Sequence, residues 1–139
     1  MIGCDLSEHN LKTVPRRMKI LNLVLAVIFL LFAVVQLNDP DWEFWTALYL
    51  AVTLICAFAA FGKSNRWVIL LVMAVCVYEL STLIGPFVEW IKEDMPSITG
   101  AMKASSPFVE LVREFLGVAI ALAALIFQYT RVRFHALTK

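Results

Sequence analysis

A polar turn interrupts a long apolar run at Gln36-Leu37-Asn38-Asp39-Pro40-Asp41-Trp42-Glu43-Phe44-Trp45. Asn38 and Asp39 favour turns and helix caps because their side chains can bond nearby backbone N–H groups. Pro40 cannot continue the preceding helix but suits the first turn of a new one. The two tryptophans are typical of a membrane–water boundary, where an apolar ring meets water. The stretch therefore predicts a tight hairpin between two membrane-spanning helices.

The composition places the whole chain in the membrane class. Of its 139 residues, 61% are hydrophobic and 17% are charged, and the mean hydropathy is +0.81. Soluble domains are roughly 45–50% apolar and about 25% charged. At about 20 residues per span, the length allows four helices with short loops and no separate soluble domain. The net charge of +1 gives no reason to expect a nucleic-acid partner.

Four apolar segments are interpreted as spans, at residues 18–37, 44–61, 67–84 and 110–130. Gly85 and Pro86 are expected to end the third span. An amphipathic piece at 87–94 then predicts a short interfacial helix in the third loop. The rest of this connection is expected to be a loop, and the last helix is expected to begin near Pro107. The predicted fold is all-α, a single integral membrane four-helix bundle.

The basic residues predict the orientation, because short cytoplasmic loops carry an excess of Lys and Arg. Nine of the twelve fall on one side of the four spans and three on the other. The nine are Lys12, Arg16, Arg17, Lys19, Lys63, Arg66, Arg131, Arg133 and Lys139, and the three are Lys92, Lys103 and Arg113. Both termini are therefore expected in the cytoplasm, and the acidic hairpin on the outer side. The expected location is a bacterial inner (cytoplasmic) membrane, with multi-pass insertion.

Two motifs resemble those of the transmembrane-protein-220 family, small four-span membrane proteins of bacteria and animals. The first runs from Gln36 to Asp41, with Trp45 and Tyr49 after it, and is similar to the family's Asn-Asp-Pro-Asp hairpin. The second is similar to the family's Arg-Glu-x-x-Gly at the start of the last helix, and comprises Glu110, Arg113, Glu114 and Gly117. The resemblance covers most of the chain and implies the four-span fold. It implies no activity, because the family has none that can be carried over.

Seven polar residues are expected on the outer side and form the candidate polar cluster: Asn38, Asp39, Asp41, Glu79, Glu110, Arg113 and Glu114. Glu79 is the ionisable residue well inside a span, and Arg113 is expected within about one turn of it in depth. A charge at that depth should face protein or water and have a partner. We expect a carboxylate to neutralise Arg113, with Glu79 favoured and Asp39 and Asp41 as alternatives. Glu79 is either part of a structural ion pair or a functional carboxylate.

The sequence offers no residue set for catalysis. Cys4, Cys56 and Cys76 have no metal-ligand spacing. His9 and His135 fall in the two cytoplasmic tails, away from the outer acids. Those acids suit a hard cation such as Ca²⁺, but no consensus loop accompanies them. We therefore expect no catalytic residue, no cofactor and no metal site.

The leading functional hypothesis is a non-enzymatic accessory or scaffold subunit that acts through lateral helix contacts. Its expected partners are the lipid bilayer and other membrane subunits or copies of itself, with no nucleic acid. The alternative is a binder or transporter of an ion, a lipid or a small apolar ligand at an outer-leaflet polar pocket around Glu79 and Arg113. An open cavity beside Glu79 would favour the alternative, and a dry, paired Glu79 would favour a structural role.

Overall fold

The computed structural model describes residues 14–95 and 107–137. Within these ranges the chain forms four helices and no strand: α1 (Arg16–Gln36), α2 (Trp42–Ala60), α3 (Arg66–Lys92) and α4 (Pro107–Leu137). The first three are each long and apolar enough to cross a membrane. The prediction of an all-helical membrane fold is confirmed, and so is the start of the last helix near Pro107. The predicted loop between α3 and α4 lies mostly outside the described residues.

The four helices pack as two hairpins. α1 packs closely along α2, and α3 along α4, whereas close contacts between the two hairpins are few. In the first hairpin, Thr46 Oγ1 donates a hydrogen bond to the carbonyl oxygen of Ala33 at 3.3 Å. In the second, the rings of Phe87 and Phe115 stack with their centroids 4.3 Å apart. One buried core, with residues from all four helices, nevertheless joins the two hairpins.

α3 is longer than the sequence pattern predicts. The expectation that Gly85 and Pro86 end this helix is wrong, because α3 runs through Pro86 to Lys92. Proline removes one helical hydrogen bond, but membrane helices tolerate it where hydroxyl groups and neighbouring helices satisfy the backbone. Thr82, whose carbonyl oxygen loses that bond, donates its own hydroxyl to the carbonyl oxygen of Glu79 at 2.8 Å. Most of the predicted interfacial piece at 87–94 therefore forms the last turns of α3.

The antiparallel arrangement separates the charges into two ends. The end formed by the α1–α2 turn, the last half of α3 and the start of α4, here called the acidic end, contains every described Asp and Glu: Asp39, Asp41, Glu43, Glu79, Glu89, Glu93, Asp94, Glu110 and Glu114. The opposite end, here called the basic end, contains the described residues Arg16, Arg17, Lys19, Lys63, Arg66, Arg131 and Arg133. Which end faces the cytoplasm stays a prediction.

A buried polar contact joins the two hairpins near the basic end. Gln128 Nε2 donates to Asn22 Oδ1 at 2.7 Å and lies 3.7 Å from Cys56 Sγ. Asn22 and Gln128 are both buried. Water cannot reach their polar groups there, so the bond between the two side chains takes the place of hydrogen bonds to water. Asn22 of α1 thus bonds a neighbouring helix, α4. Its partner, Gln128, is not singled out by the sequence pattern.

Candidate functional site

Backbone hydrogen bonds build the turn between α1 and α2. The Asp39 N–H donates to the carbonyl oxygen of Gln36 at 2.9 Å, and the Trp42 N–H donates to that of Asp39 at 3.3 Å. The side-chain cap expected from Asn38 or Asp39 is not made, because the residue at the start of α2 is Asp41 and no side chain caps the helix. The Asp41 carboxylate instead accepts from the Trp45 indole N–H at 3.0 Å.

A column of aromatic rings descends from this turn into the bundle. The rings of Trp45 and Tyr49 stack with centroids 6.4 Å apart, and Phe32 meets Tyr49 edge-on at 5.6 Å. Tyr49 is 1% exposed, and its hydroxyl lies against Gly117 of α4. A Cβ atom at Gly117 would overlap that hydroxyl and would stand 3.2 Å from the ring Cζ. Glycine therefore allows α2 and α4 to approach closely here, and the two sequence motifs meet at this contact.

Five carboxylates lie near enough to interact electrostatically, and we call them the acidic cluster: Asp39, Asp41, Glu79, Glu110 and Glu114. They come from the α1–α2 turn, from α3 and from α4, so both hairpins contribute. Glu114 is the member that interacts with all four others. Like charges at this spacing repel one another, and burial removes the water that would screen them.

Glu114 is the most buried member of the acidic cluster. Its residue is only 6% exposed, whereas the other four are partly or fully exposed. Within the described residues, the one ion pair is the surface contact of Lys92 with Glu89 at 3.1 Å, and no hydrogen bond reaches the Glu114 carboxylate. A buried carboxylate in a membrane helix normally has a partner or lines a functional site. Glu114 is therefore the centre of the candidate site.

Arg113 of α4 interacts electrostatically with Asp39 in the α1–α2 turn. Burial and then the neighbouring charge of Asp41 raise the pKa of Asp39 above its ordinary value, and the positive charge of Arg113 opposes that rise. Of the carboxylates expected to neutralise Arg113, the structure thus places Asp39 near enough to interact with it electrostatically. Glu79 does not form the expected ion pair with Arg113. Since Phe87 stacks on Phe115, Glu79 lies nearly three helical turns deeper than Arg113, and not within one.

Sequence reasoning missed one polar residue at the α1–α2 turn. Gln36 ends α1 directly before the turn, and its side-chain Oε1 is buried without a hydrogen-bond donor among the described residues. A buried acceptor without a donor indicates a place for water or an ion. The sequence could have indicated Gln36, because it is the first polar residue of the hairpin motif. Asn38 is exposed in the turn, and the structure shows no contact between it and the acidic cluster.

The acidic cluster is not a preformed metal centre. In residues 14–95 and 107–137, no three His, Cys, Asp or Glu side chains converge closely enough to hold a metal ion. The carboxylates are spread over the turn, α3 and α4, and the two hairpins that carry them have few contacts. A cation entering the cluster would therefore have to draw the side chains together. Such an arrangement suits reversible binding of a cation better than a permanent structural ion.

Comparison with known protein families gives a match over most of the chain. A protein-family model described as "Transmembrane family 220, helix" matches residues 28–130. The matched part begins inside α1 and ends inside α4, so it contains both sequence motifs and the whole acidic cluster. No curated protein and no solved structure matches the chain.

Proposed function

The chain belongs to transmembrane family 220 and is an integral, multi-pass membrane protein, and we propose that it binds a small cation at its acidic end. The observation that carries the proposal is Glu114, a residue only 6% exposed, whose carboxylate interacts with four other carboxylates and forms no ion pair with a described residue. An ionised carboxylate in a low-dielectric site is strongly unfavourable unless a positive charge stabilises it. A bound cation would supply that charge.

The atoms around Glu114 are of the right kind for a hard cation. Carboxylate and amide oxygens are the ligands that such cations prefer. The acidic cluster offers carboxylates from both hairpins. Separately, Gln36, at the end of α1 before the turn, has a buried amide oxygen without a donor among the described residues. Arg113 contributes one positive charge, and its electrostatic effect falls on Asp39 at the turn. The cluster therefore has more negative than positive charge among the described residues.

Binding would couple to the packing of the hairpins. Asp41 belongs to the first hairpin and Glu114 to the second, and their charges already interact. A cation between such carboxylates would replace their repulsion with attraction, which favours closer contact of the two hairpins. We therefore expect the cation to stabilise the bundle. The same coupling would let a partner or a voltage change acting on the hairpins alter the affinity for the cation.

Thermal unfolding in nanodiscs tests the proposal. Na⁺, K⁺, Mg²⁺ and Ca²⁺ would each be titrated against choline at constant ionic strength. A ligand that binds only the folded state stabilises it by about 2.7 kcal/mol at a hundred times its Kd. We expect at least one cation to raise the midpoint saturably, and Glu114→Gln to remove that response. Glu43→Gln is the matched control, because Glu43 is an exposed acid in the first turn of α2.

Two results would contradict this function. One is a midpoint that no cation raises beyond the choline reference. The other is a cation response that survives in Glu114→Gln, or that Glu43→Gln reduces equally, since the response would then arise from the general negative charge of the acidic end. Both variants are also measured in choline alone. This reference distinguishes a loss of folding from a loss of cation binding.

A second candidate is an accessory or scaffold subunit acting through lateral helix contacts, and the outer face of α1 supports it. This helix buries only Asn22, Ala26, Phe29 and Ala33, so most of its apolar side chains are exposed. Lipid tails or a neighbouring subunit would cover this face equally well. Native mass spectrometry after extraction from the source membrane distinguishes them, because a stable partner or a homo-oligomer gives a discrete higher mass. The proposed location is a bacterial inner membrane, with both termini cytoplasmic.

A further inference from the structure

A cleft of about 620 Å³ opens between α2 and α3 at the basic end, far from the acidic cluster. Its walls are apolar side chains of the two helices, among them Leu54, Phe58 and Val68. Its mouth is polar and includes Lys63 and Ser64 of the α2–α3 turn. The volume lies within the range of about 300–1,000 Å³ that is usual for small-molecule sites.

The α2–α3 turn satisfies its own backbone groups. Gly62 takes a left-handed conformation with φ of 76°, and its N–H donates to the carbonyl oxygen of Ala59 at 3.1 Å. The Lys63 N–H donates to the carbonyl oxygen of Phe58 at 2.9 Å, and this bond closes the end of α2. Asn65 caps α3 by accepting from the Trp67 N–H at 2.9 Å. The side chains of the turn that line the cleft are therefore held in place by a rigid backbone.

The mouth of the cleft is positively charged. Lys63 lines it, and Arg66 follows in the first turn of α3, with its guanidinium 5.0 Å from the Trp67 ring centre. Lys19 of α1 lies at the same end of the bundle, with its ammonium 5.1 Å above the ring of Phe61. All described Asp and Glu residues lie at the acidic end, and Lys63 forms no ion pair with any described residue. The mouth is therefore complementary to an anion.

We propose that this cleft binds an anionic phospholipid of the surrounding bilayer, with one acyl chain between α2 and α3 and the phosphate at Lys63 and Ser64. An apolar channel with a cationic mouth is complementary to a molecule with a long apolar chain and an anionic head. Basic pockets between membrane helices on the cytoplasmic side recognise anionic headgroups in this way. The inference does not depend on cation binding at Glu114, because the two sites are at opposite ends of the bundle.

Native mass spectrometry from nanodiscs tests the inference, with phosphatidylglycerol and phosphatidylcholine as equimolar probes. We expect one phosphatidylglycerol to stay bound in preference to phosphatidylcholine. Lys63→Gln should weaken its retention roughly five-fold, which corresponds to about 1 kcal/mol for one basic residue near the membrane surface. Ala51→Leu should also reduce retention, because Ala51 lines the cleft and the larger side chain fills it without changing any charge.

Two matched variants complete the experiment. Arg133→Gln removes a positive charge at the basic end of α4, and Ala47→Leu adds the same volume on an exposed part of α2 outside the cleft. Both should retain the phosphatidylglycerol. Equal retention of the two probe lipids by the unsubstituted protein would overturn the proposal. So would unchanged retention in Ala51→Leu, or a loss in Arg133→Gln as large as that in Lys63→Gln.

Discussion

The hydroxyl of Tyr49 on α2 lies against the backbone of Gly117 on α4, where a Cβ atom would overlap it. Tyr49 follows the turn motif of the first hairpin, and Gly117 ends the motif at the start of α4. The contact therefore explains in physical terms why the two motifs occur in one chain. It also fixes the distance between hairpins that otherwise have few contacts. Glu114 lies one turn from Gly117 on the same helix, so this contact positions the acidic cluster.

The first prediction concerns this close approach. Gly117→Ala should destabilise the fold by about 1–3 kcal/mol, because the added methyl overlaps the Tyr49 hydroxyl and forces the helices apart. Tyr49→Phe removes that hydroxyl, so the double variant should recover part of the loss. Ala123→Leu, on an exposed part of α4, is the control for added volume. Unfolding in mixed micelles measures the stability of the four variants relative to the unsubstituted protein. Equal losses in Gly117→Ala and in the double variant would show that the contact is not tight.

The second prediction concerns the buried bond between Asn22 and Gln128. Gln128→Leu should destabilise the fold by roughly 1–2 kcal/mol, because Asn22 is left buried without its partner. Asn22→Leu should have a similar effect, and the double variant should be less destabilised than the sum of the two. A double-mutant cycle in the same micelles measures the coupling energy. Strictly additive losses would mean that the bond does not hold the hairpins together.

The third prediction concerns pH and Asp39. Burial and the charge of Asp41 raise the pKa of Asp39 in the folded protein above its ordinary value of 3.8. A carboxyl whose pKa rises on folding contributes stability when protonated, and this contribution is lost as the pH rises through that pKa. Asp39→Asn should therefore raise the unfolding midpoint at pH 7 and leave it unchanged below the ordinary pKa. A substitution that lowers the midpoint at pH 7 would contradict this assignment.

The fourth prediction concerns orientation. The Lys and Arg residues of the basic end indicate that this end faces the cytoplasm. Reporter fusions after Lys139 and within the connection at 96–106 should then give opposite signals, with the terminal fusion on the cytoplasmic side. Equal signals would mean that α4 does not cross the membrane, and reversed signals would place the acidic cluster in the cytoplasm.

The sequence predicted the elements well where local chemistry decides them. The turn at Asn38–Asp41 and the start of α4 at Pro107 follow from proline and polar turn residues, and both are confirmed. The end of α3 was not predictable in the same way, because the helix continues past Pro86 and packs against α4, where Phe87 stacks on Phe115. That longer helix also changes the depth of Glu79 relative to Arg113, so the pairing expected between them was wrong.

The centre of the site depends on how the hairpins face each other, which local patterns do not specify. Glu114 was included in the candidate cluster, but its sequence context is similar to that of the more exposed Glu110. Only the packing of α4 against α2 shows that Glu114 is buried. The buried Oε1 of Gln36 is likewise a consequence of tertiary packing. Gln128 bonds Asn22, which is far from it in the sequence. The hydrophobic periodicity of the helices does not identify such a partner.

The most direct test of cation binding at Glu114 is infrared difference spectroscopy of the reconstituted protein while each cation is exchanged for choline. Coordination changes the carboxylate stretching bands, so the measurement observes the proposed ligands themselves. Cation binding at Glu114 predicts a saturable carboxylate difference band in the unsubstituted protein, its retention in Glu43→Gln and its loss in Glu114→Gln. A full difference band in Glu114→Gln, or no difference band in the unsubstituted protein with any of the four cations, would contradict it.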